Sequence, residues 1–347
     1  MKYNKVAIVG AGLMGASLAK ELQKIKDFAW SIVALVRGEE QAAKVKELNI
    51  IATTKYDDLK DADIIFVAVP LSAYEQVFKN LSALEFKKSP IISDLGSVKA
   101  SVVELADELI ADLNFVPSHP IAGSQISGTG KIVDNLYRDR RLIITAEEND
   151  ISEEIADIWK EIGAKVAYMD AKEHDRTYAY VSHLTQKIAF NLDELLFHTR
   201  KTIDALRAEY NSEVFNKFIR LRYSNPDMWA DIFTFNKYFV GKALEDFQAN
   251  LQYLITNCDE LIGSTKTDED LSNKTAKELD LYSAYMTAMI LKKTVAEHID
   301  NYTDYIGPGF KDFTAILADQ ELSIEDLTVG ELGFIRDRLS ALLNSFS

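Results

Sequence analysis

Apolar positions in the first half of the chain fall into short runs at residues 6–9, 32–36, 64–69, 91–93, 115–116 and 142–144. Between them lie stretches of helical period, such as 41–47, 74–81 and 98–110. Unbroken apolar runs read as strands buried on both faces, and strands alternating with helices predict a doubly wound, mainly parallel sheet. A further helix–strand unit, 151–162 followed by 165–169, closes this domain at about residue 170. From about Lys172 the texture changes: strand-like runs vanish, and 189–196, 242–262 and 284–299 carry apolar residues at three- and four-residue spacing. The chain thus divides into an α/β domain over 1–170 and an all-α helical domain over 171–347. Helices this long and apolar need more helix to pack against than one small domain supplies, which predicts a homodimer through this half. The last stretch, 321–347, reads as a charged helical extension.

The first run leads straight into Gly10-Ala11-Gly12-Leu13-Met14-Gly15 and then a helical pattern. Strand, glycine loop and helix in that order are the Rossmann arrangement for a dinucleotide. Gly10 makes the turn, Gly12 lets the backbone approach a pyrophosphate, and Gly15 lets helix and sheet pack closely. The pyrophosphate rests on the open N–H groups of the helix start, where Leu13 and Met14 stand. Val69 and Pro70, at the end of the third run, join these as cofactor-binding candidates. The second run ends Val36-Arg37-Gly38-Glu39. An acidic residue near this point would hold the ribose hydroxyls of NAD. Val36 takes that place and Arg37 offers a fork for a 2'-phosphate, so NADP is favoured over NAD. The alternative is a solvated Arg37, with Glu39 or Glu40 on the ribose.

Composition narrows the partners. The 347 residues include 39 basic and 54 acidic ones, a net charge of -15, which disfavours nucleic acid and anionic membrane. An anionic small-molecule substrate must therefore be met by local cations. The single cysteine, Cys258, excludes an intrachain disulfide and reads as a core residue of a cytoplasmic protein. No apolar run reaches membrane-spanning length, the N-terminus enters a strand without a signal peptide, and no metal site is assigned.

Five clusters carry candidate chemistry. Ser93-Asp94-Leu95-Gly96-Ser97-Val98-Lys99 sits at a strand end, where open α/β sheets bind ligands. Taken alone, Ser97 reads as a helix N-cap that can also donate into the cleft. Ser118-His119-Pro120-Ile121-Ala122-Gly123-Ser124 follows the next strand. His119 is either structural or a base that accepts a proton as hydride leaves the adjacent carbon. The helical half supplies Glu173-His174-Asp175 and Ser182-His183-Leu184-Thr185-Gln186. It also supplies Arg220-Leu221-Arg222-Tyr223-Ser224-Asn225-Pro226-Asp227-Met228-Trp229. The two arginines are either a carboxylate clamp or solvated salt-bridge partners.

Together these strings resemble the prephenate/arogenate dehydrogenase family of tyrosine biosynthesis. The likeness runs through Gly10–Gly15, Asp94–Lys99, His119-Pro120-Ile121-Ala122-Gly123, Met169-Asp170 with Glu173-His174-Asp175, Ser182-His183-Leu184 and Arg220 with Ser224–Trp229. It implies oxidative decarboxylation of a cyclohexadienol, prephenate or arogenate. His119 would take the ring hydroxyl's proton while hydride passes to the nicotinamide, and Ser97 would orient His119 and the hydroxyl. Arg220 would hold the ring carboxylate, with Ser124, His183, Gln186 and Arg222 at the substrate. The implied fold is a Rossmann domain followed by a helical dimerisation domain. The chain departs from the family where Thr185 and Gln186 replace a proline and a second histidine, which leaves the choice of prephenate or arogenate open. A glycine-rich lead-in is missing before Arg220, and a similar string, Gly307-Pro308-Gly309-Phe310-Lys311-Asp312, appears later. The rival readings are a β-hydroxyacid dehydrogenase of the same plan and a non-catalytic NADP-binding sensor.

Overall fold

The computed structural model describes residues 3–25, 31–122, 132–196, 221, 224–264, 274–318 and 327–346. Of the residues singled out above, Ser124, Arg220 and Arg222 lie outside the described residues. The chain forms two compact units, Met1–Asp175 with Asn225–Asn236, and Arg176–Ser224 with Lys237–Ser347.

In the first unit, β1 (Lys5–Val9), β2 (Ser31–Leu35), β3 (Ile51–Thr53), β4 (Ile64–Val67), β5 (Ile91–Asp94) and β6 (Asn114–Val116) form one sheet. Its order is β3-β2-β1-β4-β5-β6, and every neighbouring pair is parallel. The helices are α1 (Leu13–Lys24), α2 (Glu39–Lys46), α3 (Tyr74–Ser82), α4 (Ala100–Leu109) and α5 (Asp150–Ile162). Alternate strand residues enter opposite cores, as a period of two requires. Val6, Ile8, Ile64 and Phe66 join Leu18, Leu22 and Trp159 on one side. Ala7, Val9, Ile65 and Val67 join Tyr74, Phe78 and Val102 on the other. The strand order reverses between β1 and β4, and the crevice outside that point is where such sheets take ligands.

A second, three-stranded sheet contains β7 (Ser118–Pro120), β8 (Arg141–Ile144) and β9 (Lys165–Tyr168). β7 is antiparallel to β8, and β9 is parallel to it. The runs at 142–144 and 165–169 thus pair with each other, outside the doubly wound sheet. Pro117 brings no N–H to extend β6, and the next residues pair instead with β8, His119 opposite Ile143.

In the second unit, α6 (Ala171–Tyr178), on which the division between the units falls, runs through a π turn at Ala179–His183 into α7 (Leu184–Leu196). One helix from the C-terminal half of the sequence, α8 (Pro226–Phe235), belongs to the first unit. Asn225 caps it, Pro226 occupies its first turn, and Ile232 is buried in the core with Tyr74 and Phe78. The helical unit continues with α9 (Lys237–Ser264), α10 (Ala276–His298), α11 (Pro308–Thr314) and α12 (Val329–Asn344). Thr275 and Thr328 start α10 and α12 with capping boxes to Glu278 and Glu331. Cys258 is fully buried on α9, and burial pushes its thiol above the ordinary value, as suits a core residue. The late glycine string is also structural here. It starts α11, whose Phe310 and Phe313 are buried while Lys311 is exposed. Among the described residues no helix is long and apolar enough to cross a membrane.

Candidate active site

The glycine loop is built as a cradle. Gly10 turns out of β1 at φ +97°, and a Cβ there would meet the Ala68 carbonyl oxygen at 2.6 Å and Val69 Cγ1 at 2.8 Å. A Cβ on Gly15 would lie 2.0 Å from the Gly10 oxygen, so α1 packs against the turn with no room for a side chain. Around Gly12 nothing among the described residues lies within 4 Å of such an atom. Gly12 caps α1 without a side-chain acceptor, and the first turn contains no acidic residue. The opening N–H groups of α1 therefore face open space, which fits a pyrophosphate. The Tyr137 hydroxyl holds the Met14 carbonyl at 2.7 Å and steadies that turn.

The neighbouring strand ends complete the cofactor side. Ala68 N donates to Val9 O at 2.8 Å, which brings Val69 and the exposed Pro70 to the glycine turn. Gly10 N donates to Leu35 O at 2.9 Å, which sets the end of β2 beside it. Arg37 is exposed there, and among the described residues no carboxylate pairs with it. Glu40 is engaged with Lys44 at 2.6 Å, and Glu39 accepts from Thr54 Oγ1 at 3.3 Å.

At the carboxyl end of β5 lies a buried polar network that the sequence reading missed. Asp94 is fully buried, and its carboxylate accepts from Tyr74 Oη at 2.8 Å, Gly96 N at 2.9 Å and Ser118 N at 2.9 Å. It also accepts from Lys99 Nζ, which donates in turn to Ser118 O at 2.8 Å. Lys99 is itself fully buried. Burial pulls its amine below the ordinary lysine value, and the charge of Asp94 opposes that shift. Ser118, the residue before His119, is thus held through its N–H, its carbonyl and its hydroxyl, the last donating to Asp94 O at 2.6 Å.

His119 then extends toward a second histidine. Its Nδ1 lies 2.9 Å from His174 Nε2, and His174 Nδ1 lies 2.8 Å from Asp175 Oδ1. Asp175 also accepts from Lys99 N and Ala100 N, each at 2.8 Å, and so caps α4 from far along the chain. Ser97 is not that cap: α4 begins at Ala100, after Lys99, and Ser97 lies half-buried in the loop before it. The structure brings His119 together with His174 and Asp175, two residues of the Glu173-His174-Asp175 string to which the sequence attached no role.

The remaining candidates stand in the helical unit. His183 is buried at the end of the π turn, a distortion frequent at functional sites. Gln186 is also buried: its Nε2 donates to Leu221 O at 2.8 Å, and its Oε1 accepts from Ser224 Oγ at 3.2 Å.

Comparison with known proteins agrees with both halves. The family model described as the prephenate dehydrogenase nucleotide-binding domain matches residues 18–168, and the one described as the prephenate dehydrogenase dimerization domain matches 170–273. The chain is 30% identical over 259 residues to a cyclohexadienyl dehydrogenase of Zymomonas mobilis, covering 73% of this chain and 88% of that one. The chain belongs to the prephenate dehydrogenase family. It is also 26% identical over 342 residues to a prephenate dehydrogenase of Bacillus subtilis, covering 94% of this chain and 88% of that one. A crystal structure of prephenate dehydrogenase from Aquifex aeolicus, in complex with hydroxyphenyl propionate and NAD+, is 32% identical with a TM-score of 0.66. That likeness covers 73% of this chain and 90% of the Aquifex chain.

Proposed function

We propose that this chain catalyses the oxidative decarboxylation of prephenate or arogenate in tyrosine biosynthesis, with hydride transfer to a nicotinamide cofactor. The observation that carries the reading is His119, tethered through Nδ1 beside the carboxyl end of β5 in a chain of this family. Family membership favours it over a β-hydroxyacid dehydrogenase or a non-catalytic sensor. A bound nicotinamide would supply the acceptor for hydride from the ring carbon that bears the hydroxyl. His119 Nε2 takes the hydroxyl proton, and a carbonyl forms on the ring. The ring carboxylate is then conjugated through the diene to that carbonyl, so it leaves as CO2 and its bonding electrons aromatise the ring. The phenolate recovers the proton from His119, and the reaction consumes no net proton. Ser97, half-buried before α4, is assigned to orient His119 and the hydroxyl.

Arg220 is assigned to the ring carboxylate, with Arg222 and Ser124 beside the substrate. His183 serves the same site, and Gln186 acts through the segment it holds at Leu221 and Ser224. NADP is favoured over NAD because Arg37 is exposed beside the glycine turn while Glu40 is engaged with Lys44. The helical unit is assigned to a homodimer interface. Tyr238 and Tyr253, 70% and 62% exposed on α9, are apolar surface that a second copy can cover.

The test is purified protein with prephenate or arogenate, crossed with NAD or NADP, read as reduced nicotinamide. His119→Asn should lower kcat about 10²- to 10⁴-fold with cofactor binding intact. A near-normal kcat removes His119 from the chemistry. In the same assay Arg37→Ala should raise KM for NADP and leave NAD unaffected. Arg220→Ala should raise the substrate KM by the equivalent of about 2–5 kcal/mol, while Lys311→Ala leaves it unchanged. The opposite pattern moves the carboxylate clamp to Lys311.

A further inference from the structure

His174 and Asp175 form a buried relay whose direction is set by what each atom can do. Asp175 already accepts two backbone N–H groups, one on each carboxylate oxygen, so it faces His174 as an acceptor. The His174 Nδ1 at 2.8 Å from it must therefore carry a hydrogen. His174 is 0% exposed, and desolvation pulls its imidazole below the ordinary histidine value, against the opposing pull of Asp175. Lys99 and Asp94 are the other charged groups felt there, and Lys99 lowers the imidazole further. A neutral ring with hydrogen on Nδ1 has a lone pair on Nε2. That lone pair faces His119 Nδ1 at 2.9 Å. Two lone pairs at that distance repel, so His119 must place its own hydrogen on Nδ1.

We infer that His174 and Asp175 are positioning residues that lock His119 in the Nδ1–H tautomer, leaving its Nε2 as the sole proton acceptor for substrate. This rests on the proposed role of His119 and adds the device that keeps Nε2 as its basic atom. Free histidine prefers hydrogen on Nε2, which would leave the basic nitrogen pointing inward. The logic is that of a carboxylate orienting a catalytic imidazole, here through a second imidazole. The relay also serves the charged intermediate. Once Nε2 has taken the substrate proton, the imidazolium's Nδ1–H still has His174 Nε2 as acceptor, and the hydrogen bond strengthens with the charge.

The chain has five histidines, few enough to assign by single substitutions in ¹⁵N-labelled protein. In cofactor-free wild type, imidazole ¹⁵N shifts should report His119 as the Nδ1–H tautomer and His174 likewise. His174→Met removes the acceptor and should release His119 to the Nε2–H tautomer. It should lower kcat about 10²-fold with substrate KM and cofactor Kd within about twofold. His174→Gln, whose amide oxygen can accept from Nδ1, should recover about tenfold of that loss. A wild-type His119 in the Nε2–H tautomer overturns the inference, as does an unchanged tautomer and kcat in His174→Met. If His174→Met fails to fold, the wild-type spectrum and His174→Gln still decide. Loss of activity in His119→Asn with none in His174→Met would sink the relay alone. No loss in either would sink the role of His119 itself.

Discussion

Two lysine–carboxylate pairs, one in each unit, show how differently the halves of this chain use charge. Lys99 and Asp94 are both fully buried at the end of β5, and between them they fix the N–H and carbonyl of Ser118. In the helical unit Lys274 is a quarter exposed and meets Glu331 at 3.1 Å. Glu331 also accepts from Thr328 N at 3.0 Å, so that pair fastens the start of α12. A buried ion pair is weak evidence for stability, because desolvation offsets most of its attraction. Its value in the first unit is positional: it holds the backbone from which His119 projects. The helical unit makes no such demand at Lys274, and water shares that charge.

The contrast can be broken by truncating each lysine. Lys99→Met strands the Asp94 carboxylate in the core and should cost about 3–5 kcal/mol of unfolding free energy. Lys99→Met combined with Asp94→Asn should regain more than half of that. Lys274→Met should cost less, about 1–3 kcal/mol, because Lys274 is already a quarter exposed even though Glu331 is buried. Urea unfolding of the three proteins measures the differences, and equal losses at Lys99 and Lys274 would erase the distinction.

Two of the cradle's three glycines sharpen it within the first unit. A Cβ at position 15 would press on backbone at 2.0 Å, so Gly15→Ala should destabilise the fold by about 1–3 kcal/mol. A Cβ at position 12 meets nothing within 4 Å among the described residues. Gly12→Ala should therefore unfold at the wild-type midpoint and bind the cofactor more weakly by calorimetry. A stability loss at Gly12 matching that at Gly15 would mean that the loop is only a packing turn.

How much of this was legible follows from what each feature depends on. β1, β2, β4 and the start of β5 show in the sequence because burial on both faces selects apolar runs there, while Ser93 and Asp94 end β5 as buried polar residues. β3 and β7 do not, since three residues carry no period and Ile51 is 60% exposed at the sheet edge. The glycine loop is readable because its chemistry is local. The cap of α4 is not: Ser97 has the right residue type beside the helix, yet the acceptor is Asp175, 76 residues beyond Lys99. His119 could be singled out from its strand end and motif. His174 could be matched as part of a string but not given a role, because its role exists only where β7 and α6 bring two imidazoles together. The partners of Gln186, at Leu221 and Ser224, are likewise set by tertiary structure.

The smallest expected effect tests whether the buried cluster keeps His174 neutral. Its imidazole lies below the ordinary 6.5, chiefly through burial. Above that value the folded and unfolded chains both leave the ring neutral, and it contributes nothing to the pH dependence. As pH falls through the ordinary value, the unfolded chain binds a proton that the folded chain refuses. Stability therefore declines with acidification until the lowered folded value is reached. The exposed carboxylates whose values are lowered, such as Glu40 and Asp57, start from 4.5 and 3.8 and act further down the scale. Urea midpoints from about pH 7 to about pH 5 should thus fall more steeply for wild type than for His174→Gln, which has no ring to protonate. The difference curve isolates His174 from the rest of the chain. Parallel curves would mean that the folded protein accepts the proton as readily as the unfolded one. The Nε2 lone pair that orients His119 would then have no basis, and the buried charges around Lys99 would support the backbone without setting the state of the imidazoles.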